Sequence, residues 1–449
     1  MKKQIITAFL CATLPICAAA QQNWKAVMRY DKQATKTALS ERLSKYVTYD
    51  TTADANSGKV PSSKGQVSFG KVLAKELKRM GAKNVRISST GIVTADIPAT
   101  TTKPAPTLAF LAHMDTSPSS SGKNVVPQVH HKYKGGDIVI NQAQNLRLTE
   151  YNSPQLLHAR GHDIMTASGS TLLGADDKAG IAIIMTFADY LLGNTGIEHG
   201  PIKNAFTPDE EISTGIKTMD VAAFGADYAY TVDGGDLGET IVENFNGRSF
   251  TAVFNGERGV HAGSAMNSAF SDNLLMASDF HTLLPRHRRP ETTSGKQGFI
   301  LVKSIKTEGN KTVVKGNIRA FTDEELAELT SIVEQAFKTV KALNPKNTGM
   351  ELSFKDQYKN AKEMIPSQLI EILEQAMIAE EVTPKRVSAR GGTDGVFLSF
   401  NGLPTADIFA GMFNLHSPLE YADIDIMEAS LRTLISTVCN WAEQPKPQK

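Results

Sequence analysis

A chain of 449 residues is too long for one ordinary domain and points to two. With 41% hydrophobic and 21% charged residues it has the make-up of a soluble globular protein, and 48 basic against 47 acidic side chains leave a formal charge of +1. That balance, with no run of lysine or arginine, speaks against a nucleic-acid or membrane partner.

The first twenty residues are set apart. Lys2 and Lys3 precede a mostly apolar stretch from Ile5 to Cys17, and Ala18-Ala19-Ala20 offers a small-residue cleavage site before Gln21. This layout predicts a secretory signal peptide over residues 1–20 and an exported, periplasmic protein. A membrane anchor is the alternative, but the stretch is too short to span a bilayer comfortably, so no membrane span is expected once the signal is removed. Cys11 and Cys17 would leave with it. The mature chain then keeps only Cys439, in the apolar run Leu434 to Trp441, which reads as a buried helix residue and permits no internal disulfide.

Further along, Phe69, Val72, Leu73, Leu77 and Met80 share one helical face, and Gly81 is placed to end that helix. Short β-rich runs at Thr107–Ala112, Ile202–Phe206, Tyr228–Val232 and Thr405–Phe413 alternate with helical stretches. The clearest helix, Lys178–Leu192, is apolar nearly all round and should be buried. Asn141–Ile164 has little pattern and reads as a surface excursion. The alternation predicts an α/β domain whose mostly parallel, mixed sheet is flanked by helices.

From about Phe245 the rhythm changes. A strand (Ser249–Asn255), a helix (Asp272–Leu284), two strands (Gly298–Thr307, Lys311–Arg319), a helix (Asp323–Leu343) and a strand (Glu351–Phe354) follow, with Pro290–Ser294 as a loop. That β-α-β-β-α-β order is the ferredoxin-like unit. Thr322 and Glu325 form a capping box for the long helix, and Leu326, Leu329, Val333, Phe337 and Val340 its apolar face. The pattern of the first domain resumes near Ile365. The expected organisation is therefore one domain from residues 21–244 and 359–449, with a second inserted at 245–358.

The chemistry collects at strand ends. The first strand runs into His113-Met114-Asp115, where residues two apart share a face and Asp115 can accept the free ring N–H of His113. The second runs into Asp209-Glu210-Glu211, the third into Asp233-Gly234-Gly235, the fourth into Asn414-Leu415-His416. Asp176 and Asp177 stand just before the buried helix; taken alone they could simply cap it. Each piece has a bland reading, but ligands in open α/β sheets bind beyond the carboxyl ends of the strands. Two histidines and several carboxylates there describe a site for zinc or a similar divalent ion. No phosphate loop, dinucleotide fingerprint or Gly-x-Ser-x-Gly elbow competes.

These residues stand in longer runs: AHMDTSP at 112–118, SGKNV at 121–125, TLLGADDKAGIA at 171–182, AFTPDEEI at 205–212, YTVDGG at 230–235 and RGGTDG at 390–395. Together they resemble the tripeptide-aminopeptidase (peptidase T) branch of the dinuclear zinc metallopeptidases, which also include aminoacylases and succinyl-diaminopimelate desuccinylases. The resemblance extends from about Lys36 to Glu443. It implies an aminopeptidase that releases the N-terminal residue from tripeptides by attack of a metal-bridging hydroxide, with two Zn2+ per chain and Mn2+ or Co2+ as substitutes. Two such cations lower the pKa of a shared water and polarise the scissile carbonyl. Position by position, the resemblance makes Asp176 the bridging carboxylate, His113 and Asp233 the remaining ligands of one ion, and Glu211 and His416 those of the other. Glu210 matches the general base and Asp115 the residue that steadies His113.

Two further roles follow from the resemblance. His261, in Gly259-Val260-His261-Ala262-Gly263, matches a lid histidine that helps to hold the oxyanion; the alternative is a turn histidine. In relatives that dimerise this histidine can come from the partner chain, which leaves room for a homodimer through the inserted domain. Arg390, with Asp394 in the glycine-rich loop that follows, fits a clamp for a substrate carboxylate; an ion pair between the two is the alternative. Most relatives of this type lack a signal peptide and are taken to be cytoplasmic. A dinuclear dipeptidase or N-acyl-amino-acid amidohydrolase, and more remotely an inactive peptide-binding homologue, stay open as other readings.

Overall fold

The computed structural model of the chain describes residues 23–256, 271–345, 347 and 349–447. The expected signal peptide at 1–20 and His261 lie outside the described residues. In chain order come helices α1 (Lys32–Tyr46) and α2 (Lys64–Met80), strands β1 (Lys83–Ile87), β2 (Val93–Ile97) and β3 (Leu108–His113), helix α3 (Ala175–Gly193), and strands β4 (Ile202–Thr207), β5 (Tyr228–Gly234) and β6 (Glu239–Asn244). A second unit follows: β7 (Asn246–Asn255), α4 (Asn273–Leu283), β8 (Phe299–Glu308), β9 (Lys311–Ala320), α5 (Asp323–Leu343) and β10 (Met350–Tyr358). The chain then returns with α6 (Ser367–Ala379), β11 (Lys385–Ala389), β12 (Thr405–Phe409) and α7 (Ile424–Ala442).

The first unit and the returning segment share one eight-stranded sheet, in the order β1-β2-β4-β3-β5-β12-β6-β11. It is mixed: β3–β4, β3–β5, β5–β12 and β6–β11 pair parallel, while β1–β2, β2–β4 and β6–β12 pair antiparallel. The four parallel central strands β4, β3, β5 and β12 all present their carboxyl ends on one side, which is what gathers the site. Helices α1, α3, α6 and α7 pack together over one face, and Ile216, Phe224, Leu398 and Leu403 cover part of the other. Among the described residues no helix is long and apolar enough to cross a membrane.

Helix α3 is the axis of this layer. Every residue from Ala175 to Ala188 is buried, as the all-round apolar pattern requires. It lies so close to β5 that a Cβ on Gly180 would stand 1.9 Å from the Val232 carbonyl oxygen, so only glycine fits there.

The inserted unit is the expected ferredoxin-like fold. Its antiparallel sheet runs β8-β9-β7-β10, with α4 and α5 on one face, where Phe280 of α4 and Phe337 of α5 meet Phe250 and Phe254 of β7. Thr322 accepts the Glu325 N–H at the start of α5, the first half of the predicted capping box.

Three expectations need revision. Thr405–Phe413 is not one strand: β12 stops at Phe409, Gly411 adopts a left-handed φ of 75°, and Met412–Phe413 joins a different, four-stranded sheet with Tyr421–Asp423, Ile164–Thr166 and Gln128–His130. The segment Asn141–Ile164 is no mere surface excursion. Leu148 and Leu156 are fully buried, and Ile138–Asn141 pairs with Leu146–Leu148 as a hairpin, strands too short to leave a period in the sequence. Pro290–Ser294, expected as a loop, contains a single 3₁₀ turn at Pro290–Thr292.

The distance between β3 and α3 rests on Phe110 and Phe187, whose rings meet edge to face with centroids 5.0 Å apart. Phe187→Ala should destabilise the fold by about 3–5 kcal/mol through the cavity left behind. Urea unfolding checks this: a midpoint equal to that of the parent would show that this contact does not set the spacing.

Candidate active site

Four strand ends and the start of α3 supply the site. β3 ends on His113, and Asp115 two residues on is fully buried. β4 ends on Thr207 and the chain turns at Asp209, held at a left-handed φ of 56°. Asp209 secures that turn by accepting from the Ser62 N–H (2.7 Å) and from Gln66 Nε2 (2.7 Å). The backbone of the next two residues then faces Asp115: the Glu210 N–H donates to its Oδ1 (3.0 Å) and the Glu211 N–H to its Oδ2 (3.1 Å). Asp115 Oδ1 also stands 3.4 Å from His113 Nδ1. Asp115 thereby orients two glutamates through its carboxylate and a histidine through its carbonyl oxygen, 3.1 Å from His113 Nδ1, with the carboxylate close by.

The Asp176-Asp177 pair divides its labour. Both have non-helical φ/ψ. Asp177 accepts the Gly180 N–H (3.1 Å) with Oδ1 and the His113 N–H (3.1 Å) with Oδ2, so the capping role open to either residue falls to Asp177. Asp176 faces the site, and its own N–H donates to Glu420 Oε1 (3.0 Å). Glu420 accepts the Gly174 N–H with its other oxygen (2.8 Å). On β5, the Asp233 N–H donates to Asp407 Oδ1 of β12 (3.1 Å).

Asp176 is the centre of the constellation. Its Oδ1 lies 2.8 Å from His113 Nε2 and its Oδ2 3.0 Å from His416 Nε2. Asp233 Oδ1 joins the first side, 3.8 Å from His113 Nε2; Glu211 Oε1 joins the second, 3.0 Å from His416 Nε2. All five residues singled out as ligands are thus brought together around one carboxylate. His416 reaches it from a left-handed φ of 63° on the loop that follows the split strand.

The electrostatics are those of acids packed into a dry place. Burial lifts Asp233 well above the usual carboxylate range, with Asp177 adding repulsion. Burial also lifts Glu210 well above it, against the pull of His113, and Asp394, Glu211 and Asp115 push the same way. Asp176 is held below that range: burial opposes, but hydrogen bonds to His113 and His416 prevail. Hydrogen bonds to Asp176 and Glu211 push His416 up to about 10. His113, despite burial, is raised well above its usual value by Asp233, Asp115 and Asp176. Among the described residues no lysine or arginine pairs with Asp176, Glu211 or Asp233. Three carboxylates and two imidazoles in this state suit divalent cations, which bind such atoms by displacing their protons.

The remaining predicted residues take other places. Asp394 is buried and accepts Thr207 Oγ1 (2.6 Å); burial brings it up to about 7. Arg390 donates to Thr293 of the inserted unit and makes no ion pair with Asp394, which removes that alternative. Glu420 and Asp407, both brought up to about 7 by burial, were not singled out from the sequence. Asp407 could have been: it is one acid in the otherwise apolar run Ala406 to Met412. Glu420, four residues beyond His416, carries no such signal.

The sequence profile described as Peptidase family M20/M25/M40 matches residues 109–440. A peptidase T from Caldanaerobacter subterraneus subsp. tengcongensis is 42% identical over 402 residues, covering 89% of this chain and 97% of that protein. Among solved structures, a tripeptidase from Staphylococcus aureus subsp. aureus mu50 has a similar fold, with a TM-score of 0.70 at 17% identity over 91% of this chain and 99% of that one. A dinuclear metal-binding peptidase from Bacillus subtilis gives a TM-score of 0.59 at 14% identity, covering 91% and 98%.

The Asp115 carboxylate accepts the Glu210 and Glu211 N–H groups and lies beside the His113 ring, and an asparagine would turn an amine toward one of those N–H groups. Asp115→Asn should weaken metal binding or activity by roughly 10–100-fold while leaving the fold intact. Competition titration against a chelator measures it, and parental affinity together with parental activity would remove Asp115 from this role.

Proposed function

The chain belongs to peptidase family M20/M25/M40, a family of hydrolytic peptidases, and on that premise we propose that it is a metal-dependent aminopeptidase releasing the N-terminal residue from tripeptides. The observation that carries this is Asp176, whose two oxygens each meet the Nε2 of a different histidine. A carboxylate so placed could be shared by two cations, were they bound. His113 and Asp233 would complete the ligands of one and Glu211 and His416 those of the other. The donor set suits Zn2+, with Mn2+ or Co2+ as substitutes, and the Bacillus subtilis structural neighbour is itself named a dinuclear metal-binding peptidase. When bound, such ions supply an acidified water and polarise the scissile carbonyl.

The chain's own groups do the rest. Burial holds the Glu210 carboxyl above the ordinary range, which suits it to take a proton from the attacking water and pass it to the leaving amine. Asp115 keeps His113 in one ring orientation and fixes the backbone of Glu210 and Glu211. His261 of the inserted lid is proposed as a donor to the carbonyl oxygen as charge develops there.

Mass spectrometry of a tripeptide, its N-acetyl form and a dipeptide incubated with the purified protein tests the reading. The free tripeptide should yield an amino acid and a dipeptide, and the acetylated form should survive. Glu210→Gln should keep its metal and lose roughly 10²–10⁴-fold in turnover, whereas Glu211→Gln should lose an ion by elemental analysis. Preferred cleavage of the acetylated peptide or of the dipeptide would favour the amidohydrolase or dipeptidase reading instead.

Export is proposed from the composition of residues 1–20. N-terminal sequencing of the mature protein should begin near Gln21; an intact Met1 in the cytoplasmic fraction would end that reading.

A further inference from the structure

The lid leaves and rejoins the main domain at neighbouring points, and asparagines tie the two crossings together. Asn244 Nδ2 donates to the Lys359 carbonyl (3.0 Å) and its Oδ1 accepts the Ala361 N–H (2.8 Å). Asn246 Oδ1 accepts the Asn360 N–H (2.9 Å). Two tied, adjacent crossings make a hinge. They do not fix the angle of the lid about it; that needs a contact away from the crossings.

Arg390 makes such a contact. It follows β11 in the main domain, yet its guanidinium reaches into the lid segment before β8. Nη1 donates to the Thr293 carbonyl (2.7 Å), and Nη2 donates to Thr293 Oγ1 (2.7 Å) and, at greater length, to the Gln297 carbonyl (3.5 Å). The same group lies 5.2 Å from the ring centre of Phe299 and 5.6 Å from that of Phe245. Those rings pack with Phe321 into a small apolar cluster of their own at the junction. A planar cation against aromatic faces, with its fork spent on one residue, is an attachment that a lysine cannot reproduce. Two neighbours act in the same sense. Lys296 of the lid segment pairs with Glu243 of β6, and the ring of Tyr358, on the last lid strand, lies so close to Gly392 that a Cβ there would come within 2.7 Å of it.

We propose that Arg390 is a positioning residue for the reaction, setting the angle of the lid over the metal site through Thr293 and the Phe245–Phe299 pair, and not a clamp on the substrate carboxylate. Four residues on, at the start of the helix Asp394–Phe400, Asp394 accepts a hydrogen bond from Thr207 at the end of β4, three residues before Glu210. This stretch therefore links the lid to the segment that carries the base. The kinetic part of this inference rests on the peptidase reading above.

The experiment compares Arg390→Met, Arg390→Lys and Thr293→Val with the parent on a tripeptide and on the same tripeptide amidated at its C-terminus, alongside metal analysis and hydrogen exchange. Arg390→Met should lower kcat about 10–100-fold, the weight of a small misplacement of reacting groups. KM should change by less than about threefold, and metal content and the acid-to-amide preference should stay at parental values. Exchange should quicken at residues 244–247 and 293–299. Arg390→Lys should fail to restore kcat, and Thr293→Val should show the same pattern more weakly, so the proposal is tested even if Arg390→Met does not fold. Loss of the acid-to-amide preference in the Arg390 variants would make Arg390 a substrate clamp and overturn the proposal. Parental kcat with parental exchange would overturn it as well. Exchange needs no substrate, so a parent protein inactive on tripeptides would refute the peptidase reading while exchange alone still decided the lid contact.

Discussion

Carboxylates crowded at the dry end of a parallel sheet repel one another, and the architecture of this protein follows from how that repulsion is offset. Asp115, Asp176, Asp177, Asp394, Asp407 and Glu420 are all buried. A buried charge without a partner is strongly unfavourable. Here backbone N–H groups answer some of the acids, imidazoles answer Asp176, and the rest are driven toward their neutral forms. A pair of divalent cations is the simplest means of relieving what remains.

Three of the supporting acids stand behind the candidate ligands and hold their main chain. Asp177, Asp407 and Glu420 each accept the backbone N–H of a ligand residue: His113, Asp233 and Asp176 in turn. Fixing the main chain of a ligand fixes the origin of its side chain, which is the service that outer groups give in metal sites. Helix α3 ties this group to the core. It is buried over most of its length, and its glycine at 180 lets it lie against β5, so Asp176 is carried on the most firmly packed element of the domain.

The lid is built on a different principle. Its core is separate from that of the main domain, and the two meet through asparagine amides at the crossings, the Lys296–Glu243 pair and the Arg390 contact. Polar, limited contacts between independent cores are those of units that move relative to one another. An enzyme of this kind gains from such motion, since closure excludes water and completes the site only around a seated substrate.

Much of this was legible in the sequence. Period-two and period-3.6 patterns located the strands β3, β4 and β5, the buried helix, and the whole β-α-β-β-α-β order of the lid, because local burial patterns are written into adjacent residues. Histidines and carboxylates at the strand ends were legible as a metal-type site, since strand ends in an α/β sheet converge, while the choice of five particular ligands among them came from the resemblance carried by the surrounding runs. Three matters waited for the tertiary structure. Asp176 and Asp177 are chemically identical, and the physical reason that the one picked by resemblance faces the site while the other caps the helix lies in the non-helical backbone at the start of α3. The partners of Arg390 lie 97 residues away at Thr293, and local sequence offers no signal of such a pairing. The strand expected at Thr405–Phe413 breaks at Gly411, whose left-handed φ turns the chain and whose carbonyl accepts the N–H of Asp423, a neighbour met only after folding. Sequence fixes what each segment can be through its own side chains; contacts between distant segments choose among identical chemistries, because only packing sets which of them meet.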